Sequence, residues 1–128
     1  MTPAAHPNIS VLMQLDLQNL DACTNIFAGD FIWHYFNPRL PDVHGDYCGV
    51  DGLKQFFAIM NNQSSGSFRV NKIDGWTVGD ELVVTQVCNQ MNFEGQDMEF
   101  DAIVVWRIVN SEIAEAWDIP AINTIRKS

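Results

Sequence analysis

Asp118 is the residue whose sequence setting points most directly to chemistry. It lies in an apolar run, between Trp117 and Ile119. Aspartate is disfavoured in strands, and a buried carboxylate is costly unless something compensates for its charge. In an apolar cavity its pKa would rise, which suits a general acid or base. The sequence equally allows a structural role, in which Asp118 ends its strand before Pro120 and hydrogen-bonds turn amides.

His34 is the second candidate for acid–base chemistry, and it lies in the aromatic segment 31–36. A neutral imidazole could share a proton with Asp118 or donate to a carbonyl oxygen of a ligand. Alternation along a strand lets either His34 or Tyr35 point inward, but not both unless the strand bulges. A histidine among aromatic residues is also typical of a hydrogen-bonded packing residue, so both interpretations stay open.

Motifs for metal, covalent and phosphate chemistry are missing from the sequence. The three histidines have no metal-ligand spacing, and no serine lies in a G-x-S-x-G elbow. The three cysteines are an odd number without C-x-x-C spacing, which predicts reduced thiols. A chain of 128 residues can bury enough surface to fold without disulfides or a structural metal. We therefore predict no metal and no cofactor.

Hydrophobic spacing predicts the elements that must position these residues. Over residues 8–28, apolar side chains recur at intervals of three and four, which predicts two short helices or one bent helix. Ala28-Gly29-Asp30 is expected to end the helical region, and segment 31–36 to form a short strand. The Pro- and Gly-containing segment 37–49 is expected to be a covering loop.

A helix and four strands are predicted to follow that loop. The helix begins near Val50 and ends near residues 61–62, with its apolar stripe at intervals of three and four. The period then becomes strand-like, and short turns predict an antiparallel meander. Its four strands are residues 67–77, 81–93, 98–109 and 112–119. A phase change near residues 71–72 predicts a bulge that bends the sheet. This order of elements predicts an α+β domain with its helices on one face of the sheet.

One face of the two longest strands is expected to face a cavity. Alternate residues counted outward from the Glu94-Gly95 turn share this face. They are Thr85, Val87, Asn89, Met91 and Phe93, with Phe100, Ala102, Val104 and Trp106 opposite. On the last strand the same face is expected to carry Ala114, Ala116 and Asp118. The two alanines are small and would leave room for a ligand. Asn89 could orient a carbonyl or hydroxyl of that ligand, or instead bond a neighbouring side chain.

The opposite sheet face is also apolar, and helices can cover only one face. Its apolar residues are Leu82, Val84, Cys88, Ile103, Val105, Trp117 and Ile119. We therefore predict a homodimer that buries this outer face.

Charge excludes two classes of partner. Sixteen acidic residues against seven basic ones give a net charge of −9, which would repel phosphate backbones and anionic lipid surfaces. We predict no nucleic-acid partner and no membrane partner. Residues 1–14 contain no Lys or Arg before a short apolar run, so we expect no secretory signal and a cytoplasmic location.

Three stretches of the chain resemble the SnoaL-like proteins of the ketosteroid-isomerase and nuclear-transport-factor-like superfamily. They are Phe-Ala-Gly-Asp-Phe-Ile-Trp-His at 27–34, Gly-Asp-Tyr-Cys-Gly-Val-Asp-Gly-Leu at 45–53, and Ile-Ala-Glu-Ala-Trp-Asp at 113–118. The resemblance covers about residues 8–120. It implies one SnoaL-like domain over residues 1–128, folded as a cone-shaped α+β barrel whose strongly curved antiparallel sheet carries the N-terminal helices on its concave face. It also implies a ligand cavity and a dimer.

The resemblance implies roles for particular residues. In the isomerases the strand that contains His34 supplies the base, and the cyclase branch places an aspartate late in the fold, where Asp118 is the nearest match. Val104 falls where ketosteroid isomerase has an acidic hydrogen-bond donor, so ketosteroid isomerisation itself is not expected. The predicted ligand-binding residues are Trp33, Tyr35, Phe57, Met60, Val87, Asn89, Met91, Phe100, Val104 and Trp106. Two functions stay open: a cofactor-independent isomerase or cyclase for an apolar carbonyl compound, and a non-catalytic dimeric module that binds a hydrophobic ligand or a partner.

Overall fold

The N-terminal segment forms two short helices rather than one bent helix. The computed structural model of the chain describes residues 6–127. Part of the segment predicted to carry no secretory signal, residues 1–5, lies outside the described residues. Helix α1 spans Pro7–Leu12, with proline in its first turn and the His6 ring accepting a hydrogen bond from the Asn8 amide at 3.2 Å. A 3₁₀ helix spans Leu20–Ile26. Residues 13–19, between the two helices, form an irregular segment.

Strand β1 begins earlier than predicted. It spans Phe27–Tyr35, so Ala28-Gly29-Asp30 lies inside the strand instead of ending a helix. The register shifts between Phe27 and Ile32, and this bulge accommodates the exposed Gly-Asp pair. The predicted loop 37–49 also contains a short strand, β2, at Gly45–Cys48, which pairs antiparallel with β1.

Helix α2 and the meander agree closely with the prediction. Helix α2 spans Gly49–Gln63 and packs against β1. The meander strands are β3 at Arg69–Val78, β4 at Leu82–Phe93, β5 at Gln96–Val109 and β6 at Glu112–Pro120. A second 3₁₀ helix, Ile122–Thr124, and a short strand β7, Arg126–Lys127, end the described chain.

In the described part of the chain, one seven-stranded sheet has the order β2-β1-β6-β5-β4-β3, with β7 pairing to β5. All pairs are antiparallel except β1 with β6, which run parallel. The predicted bulge in the third strand is confirmed, because the register of β3 against β4 shifts between Lys72 and Asp74. A second shift lies between Arg107 and Ile108. Such shifts increase local twist and let a sheet curve around a cavity.

The second register shift corrects one predicted face. Ala114 was expected to face the cavity, but Ile113 is the fully buried residue at the start of β6, opposite Ile108. The extra residue in β6 reverses the alternation before Ala116, which returns to the expected inner face. The rest of the inner face on β4 and β5 is as predicted.

Aromatic rings join α2 to the concave side of the sheet. Phe56 is buried and its ring centroid lies 5.5 Å from that of Trp33 and 4.7 Å from that of Tyr35. Gly52 lets the helix approach β2, because a Cβ there would lie 2.8 Å from the Tyr47 carbonyl carbon. Among the described residues, no helix is long and apolar enough to cross a membrane.

Candidate functional site

The main cavity has a volume of about 430 Å³ and lies between the N-terminal segment and the concave sheet face. Its floor is formed by inward residues of the central strands: Trp33, Val83, Thr85, Val87, Asn89, Val104, Trp106 and Asp118. Its opposite wall comes from the N-terminal segment, chiefly Ile9, Leu12, Leu15 and Leu17. Phe57, Phe68, Val70, Lys72 and Gly75 also line it, together with Met13, Asp16 and Gln18 of the N-terminal segment. A cavity of this size and apolar character suits a small organic ligand.

Asp118 lies on the floor of this cavity, in the middle of the sheet. Its backbone is held from both sides, opposite Tyr35 of β1 and Val104 of β5. The side chain is 7% exposed, and its Oδ1 atom has no hydrogen-bond partner among the described residues. Burial away from water raises the pKa of Asp118 to about 7. A carboxyl group with this pKa can both take and give a proton near neutral pH.

The alternative role of Asp118, capping the turn before Pro120, is not what the structure has. Strand β6 continues through Pro120. Beyond the sheet ladders, the backbone oxygen of Asp118 accepts a hydrogen bond from the Phe36 amide at 3.0 Å, and its carboxylate bonds no turn amide of the described residues. Within residues 6–127, the carboxylate pairs with no cation. No described cation therefore compensates for its burial.

Two further polar groups of the cavity lining lack partners within the described chain. The Trp33 Nε1 atom and the Asn89 Oδ1 atom are both buried without a hydrogen bond. Unsatisfied buried polar atoms are uncommon in folded proteins, because each costs about 1–3 kcal/mol. An indole N–H, an amide and a carboxyl group thus line one apolar cavity, and a ligand with polar atoms could satisfy them.

The other tryptophan of the floor is held in place by the protein. The Trp106 Nε1–H donates to Thr85 Oγ1 at 3.0 Å, and the Thr85 hydroxyl donates to the Val104 carbonyl at 3.1 Å. The Trp33 and Trp106 rings lie 5.6 Å apart. This chain of hydrogen bonds fixes the Trp106 ring beside the cavity instead of letting it fill the space.

His34 does not lie in the cavity, so the predicted proton sharing between His34 and Asp118 is wrong. Trp33 and Tyr35 point inward, and alternation directs His34 to the outer face. There its ring contacts Asp46 Oδ1 at 2.6 Å and Glu115 Oε2 at 2.5 Å, and it stacks on Trp117. Partial burial opposes protonation, but the hydrogen bonds to Asp46 and Glu115 outweigh it and raise the pKa of His34.

The predicted ligand-binding residues are divided between two cavities. Six of them line the main cavity: Trp33, Phe57, Val87, Asn89, Val104 and Trp106. The other four, Tyr35, Met60, Met91 and Phe100, line a second cavity of about 200 Å³ toward the other end of the sheet. The two cavities have no lining residue in common. The expectation of one continuous binding surface is therefore corrected.

The N-terminal segment was expected to cover the concave face, but none of its residues was predicted to bind a ligand. Its apolar residues were interpreted as a helical stripe, whereas Leu15 and Leu17 lie in irregular chain and line the cavity. Their apolar character was visible, whereas the space left beneath them was not. Lys72 was also missed; it is the only cationic residue of the described cavity lining. No group of three or more His, Cys, Asp or Glu residues within the described range could hold a metal ion.

A sequence model of the SnoaL-like domain family matches residues 14–116. The match covers most of the chain, and the chain belongs to this family. The resemblance read from the three motifs is thereby confirmed. No curated protein is significantly similar to the chain in sequence.

Solved structures similar to this chain have the same fold. Bal32a, from a soil-derived mobile gene cassette, is 15% identical with a TM-score of 0.78, and 91% of each chain is covered. TerC, co-crystallised with polyporic acid, is 17% identical with a TM-score of 0.76, covering 91% of this chain and 93% of TerC. A putative SnoaL-like polyketide cyclase from Jannaschia sp. is 12% identical with a TM-score of 0.73, covering 96% and 91%. These likenesses confirm the predicted α+β cone and show the fold alone.

Proposed function

We propose that the chain is a cofactor-independent enzyme that moves a proton on, or cyclises, an apolar carbonyl compound, with Asp118 as the acid–base group. The observation that carries the proposal is the buried, unpartnered Asp118 carboxyl group with a pKa of about 7 inside an apolar cavity. Perturbed carboxyl groups in clefts are typical of functional sites. The substrate class that fits is polyketide-, steroid- or terpenoid-like.

The proposed reaction begins when ionised Asp118 takes a proton from the carbon next to the substrate carbonyl. The electrons of the broken C–H bond form an enolate, whose negative charge collects on the carbonyl oxygen. The indole N–H of Trp33 supplies a neutral donor for that oxygen, and Asn89 Oδ1 can accept from a hydroxyl group of the substrate. Protonated Asp118 then returns its proton to another carbon. Alternatively, the enolate carbon attacks a second carbonyl and closes a ring, and the alkoxide formed from that carbonyl takes the proton back from Asp118. His34 and Tyr35 have no part in this step, because they do not line the main cavity.

The character of the lining supports an apolar substrate. Trp33, Phe57, Phe68 and Trp106 surround the cavity with rings, and aliphatic residues form the opposite wall. These side chains would exclude water from the enolate. Two neighbours in structure point to the same substrate class, since TerC was crystallised with polyporic acid and the Jannaschia protein is a putative polyketide cyclase.

Proton exchange at carbon tests the proposal without knowledge of the natural substrate. The probe is 2-tetralone in D₂O, whose loss of α-proton signal is followed by ¹H NMR with wild type and Asp118→Asn. We expect wild type to accelerate the exchange about 10²–10⁴-fold over buffer, with a rate that rises through pH 7 and levels off above it. We expect Asp118→Asn to lose that acceleration. Asp30→Asn is the matched control, because Asp30 is exposed and does not line the cavity.

A non-catalytic module that binds a hydrophobic ligand is the second candidate. The same cavity supports it, and the module would bind 2-tetralone without exchanging its protons. Thermal melts with and without the ketone separate the two functions. If the ketone stabilises wild type and Asp118→Asn equally, and neither protein exchanges its protons, the result would favour the binding module and contradict the proposed enzyme.

We further propose that the chain forms a homodimer through the outer sheet face. Two cross-strand rows of apolar side chains meet there: Ile103 beside Ile119, and Val105 between Val84 and Trp117. Ile103 and Ile119 are 41% and 45% exposed, which would favour association. Sedimentation equilibrium at tens of micromolar should give the mass of two chains, and Ile103→Glu should give the mass of one. A monomeric wild type would contradict the dimer.

A further inference from the structure

Lys72 is a cation on the concave sheet face that the proposed reaction does not use. It pairs with Val87, a cavity-lining residue of β4, and cross-strand partners share a face of the sheet. Three positions later Gly75 pairs with Thr85, which also lines the cavity. Residues three apart in a regular strand point to opposite faces. The extra residue at Ile73 brings Lys72 and Gly75 to the same face.

The missing side chain at Gly75 leaves room for the lysine. A Cβ there would lie 3.1 Å from Lys72 Cε and 3.3 Å from Lys72 Nζ, so the ammonium lies over the glycine, on the cavity side of β3. Within residues 6–127 this ammonium makes no ion pair and no hydrogen bond. Asp16 also lines the cavity, but its Oδ1 accepts from the Gln18 amide at 3.0 Å and it forms no ion pair with Lys72. A lysine ammonium without a described partner thus lies at the cavity, in a protein of net charge −9.

Asp118 and Lys72 lie at opposite ends of one row of the concave face. The row crosses β6, β5, β4 and β3, and its members are Asp118, Val104, Thr85 and Gly75. Three strand spacings of about 4.8 Å place the ends of the row about 14 Å apart along the sheet. Contacts between protein and ligand take up about 3 Å at each end. A ligand that reaches both ends therefore has about 8 Å between its reacting carbon and its far polar group.

The middle of this row favours an apolar ligand body. Val104 is aliphatic, and the Thr85 hydroxyl is already used, since it donates to the Val104 carbonyl and accepts from the Trp106 indole. The cavity volume of about 430 Å³ is more than twice that of apolar cavities of about 150 Å³ that admit benzene. Two rings therefore fit between the ends of the row.

We propose that the substrate of the main cavity is an oxo acid, a two-ring apolar ketone whose far end carries a carboxylate bound by the Lys72 ammonium. The inference rests on the proposed function of the same cavity, in which Asp118 takes the proton next to the ketone. An ammonium and a carboxylate form a charge-assisted hydrogen bond. One ammonium balances one carboxylate, whereas a phosphate would bring further negative charge toward an acidic protein. Lys72 selects the substrate and does not touch the reacting carbon.

Isothermal titration calorimetry with two matched ligands tests the role of Lys72 in the full chain. The acid is 2-tetralone-6-carboxylate, and the neutral ligand is its methyl ester. The measured quantity is the ratio of the ester Kd to the acid Kd. We expect the ratio to fall about three- to fivefold in Lys72→Met, because Lys72 is exposed and exposed ion pairs are weak. Lys72→Arg should restore the ratio, since it keeps the charge.

Lys54→Met is the matched control for the loss of one positive charge. Lys54 lies on α2, pairs with Asp21 and does not line the cavity, so its removal should leave the ratio as in wild type. Ile9→Trp, with a larger side chain in the cavity wall, should weaken the binding of both ligands. Binding requires no proton transfer. Absence of proton exchange would therefore contradict the proposed enzyme, whereas the Kd ratio decides the role of Lys72.

Four results would overturn the proposal. They are equal ratios in wild type and Lys72→Met, an equal fall of the ratio in Lys54→Met, binding of the acid to Ile9→Trp as tight as to wild type, and no binding of either ligand at millimolar concentration. Circular dichroism and thermal melts of each variant establish that it is folded. If Lys72→Met fails to fold, Lys72→Gln removes the same charge and takes its place in the comparison.

Discussion

Replacing Asp118 with Asn should change how the stability of the protein depends on pH. In the folded state the pKa of Asp118 is raised from 3.8 to about 7 by burial. The folded protein therefore holds a proton that the unfolded chain has already lost over this range. Linkage then requires the contribution of Asp118 to wild-type stability to fall as pH rises from about 4 to 7 and to stay constant above pH 7.

The size of the effect follows from the same two values. A rise from 3.8 to about 7 corresponds to about 4 kcal/mol, at 1.36 kcal/mol for each pKa unit. Asn resembles the protonated carboxyl group in shape and charge, so wild type and Asp118→Asn should be equally stable near pH 4. At pH 8 the variant should be more stable by up to about 4 kcal/mol, because it carries no buried charge. Other titrating groups are common to both proteins and cancel in the difference.

Urea denaturation of both proteins at half-unit intervals between pH 4.5 and 8.5 measures this difference directly. Asp30→Asn is the control, and its difference from wild type should not vary with pH in the same way. A difference between wild type and Asp118→Asn that is flat across the range would refute the reasoning. It would mean that the carboxyl group titrates at its ordinary pKa, and the acid–base proposal would lose its premise.

Three other predictions concern groups around the cavity and on the outer face. Thr85→Val should lower the free energy of unfolding by about 1–3 kcal/mol in urea titrations, because the Trp106 indole N–H loses its acceptor. Thr77→Val is the control and should change the free energy little, since the Thr77 side chain makes no hydrogen bond in the described chain. His34→Phe keeps the ring stacked on Trp117 but removes the titrating group. Wild type should therefore be more stable than the variant, fully so below pH 6.5, and this difference should disappear as pH rises through the raised pKa of His34. Thermal melts of both proteins at several pH values would measure the difference. Gly52→Ala should lower the melting temperature, because its Cβ would lie 2.8 Å from the Tyr47 backbone and force α2 away from β2; an unchanged melting temperature would show that the helix can shift freely.

The meander could be predicted because its turns and its alternation agree. Gly79 and Gly95 adopt positive φ at the turns before and after β4, and glycine is the residue that such turns favour. Between those turns, strict alternation sets which residues of β4 face inward, and Thr85, Val87 and Asn89 do so as expected. Local chemistry and the two-residue period are enough to specify this part of the fold.

The sequence could not predict faces near a bulge. Ala114 was assigned to the wrong face of the sheet, because β6 has an extra residue opposite Arg107 and Ile108. Nothing in the local sequence marks this extra residue. His34 was ambiguous for the same reason, since β1 has a bulge between Phe27 and Ile32. Side-chain direction beyond such a point depends on the partner strand. The division into two cavities was also hidden, because it depends on how side chains from separate elements pack in three dimensions.

The state of Asp118 favours chemistry over binding alone. A module that only holds an apolar ligand gains nothing from an ionisable group on the cavity floor, since Asn or Val there would leave less charge to bury. Val104 lies beside Asp118 and shows that the same floor accepts an aliphatic side chain. An unpaired carboxyl group in this position lowers stability at neutral pH, as strained or destabilised active-site groups do. Its cost is understandable if the carboxyl group takes and returns a proton, with the neutral donor of Trp33 lining the same cavity.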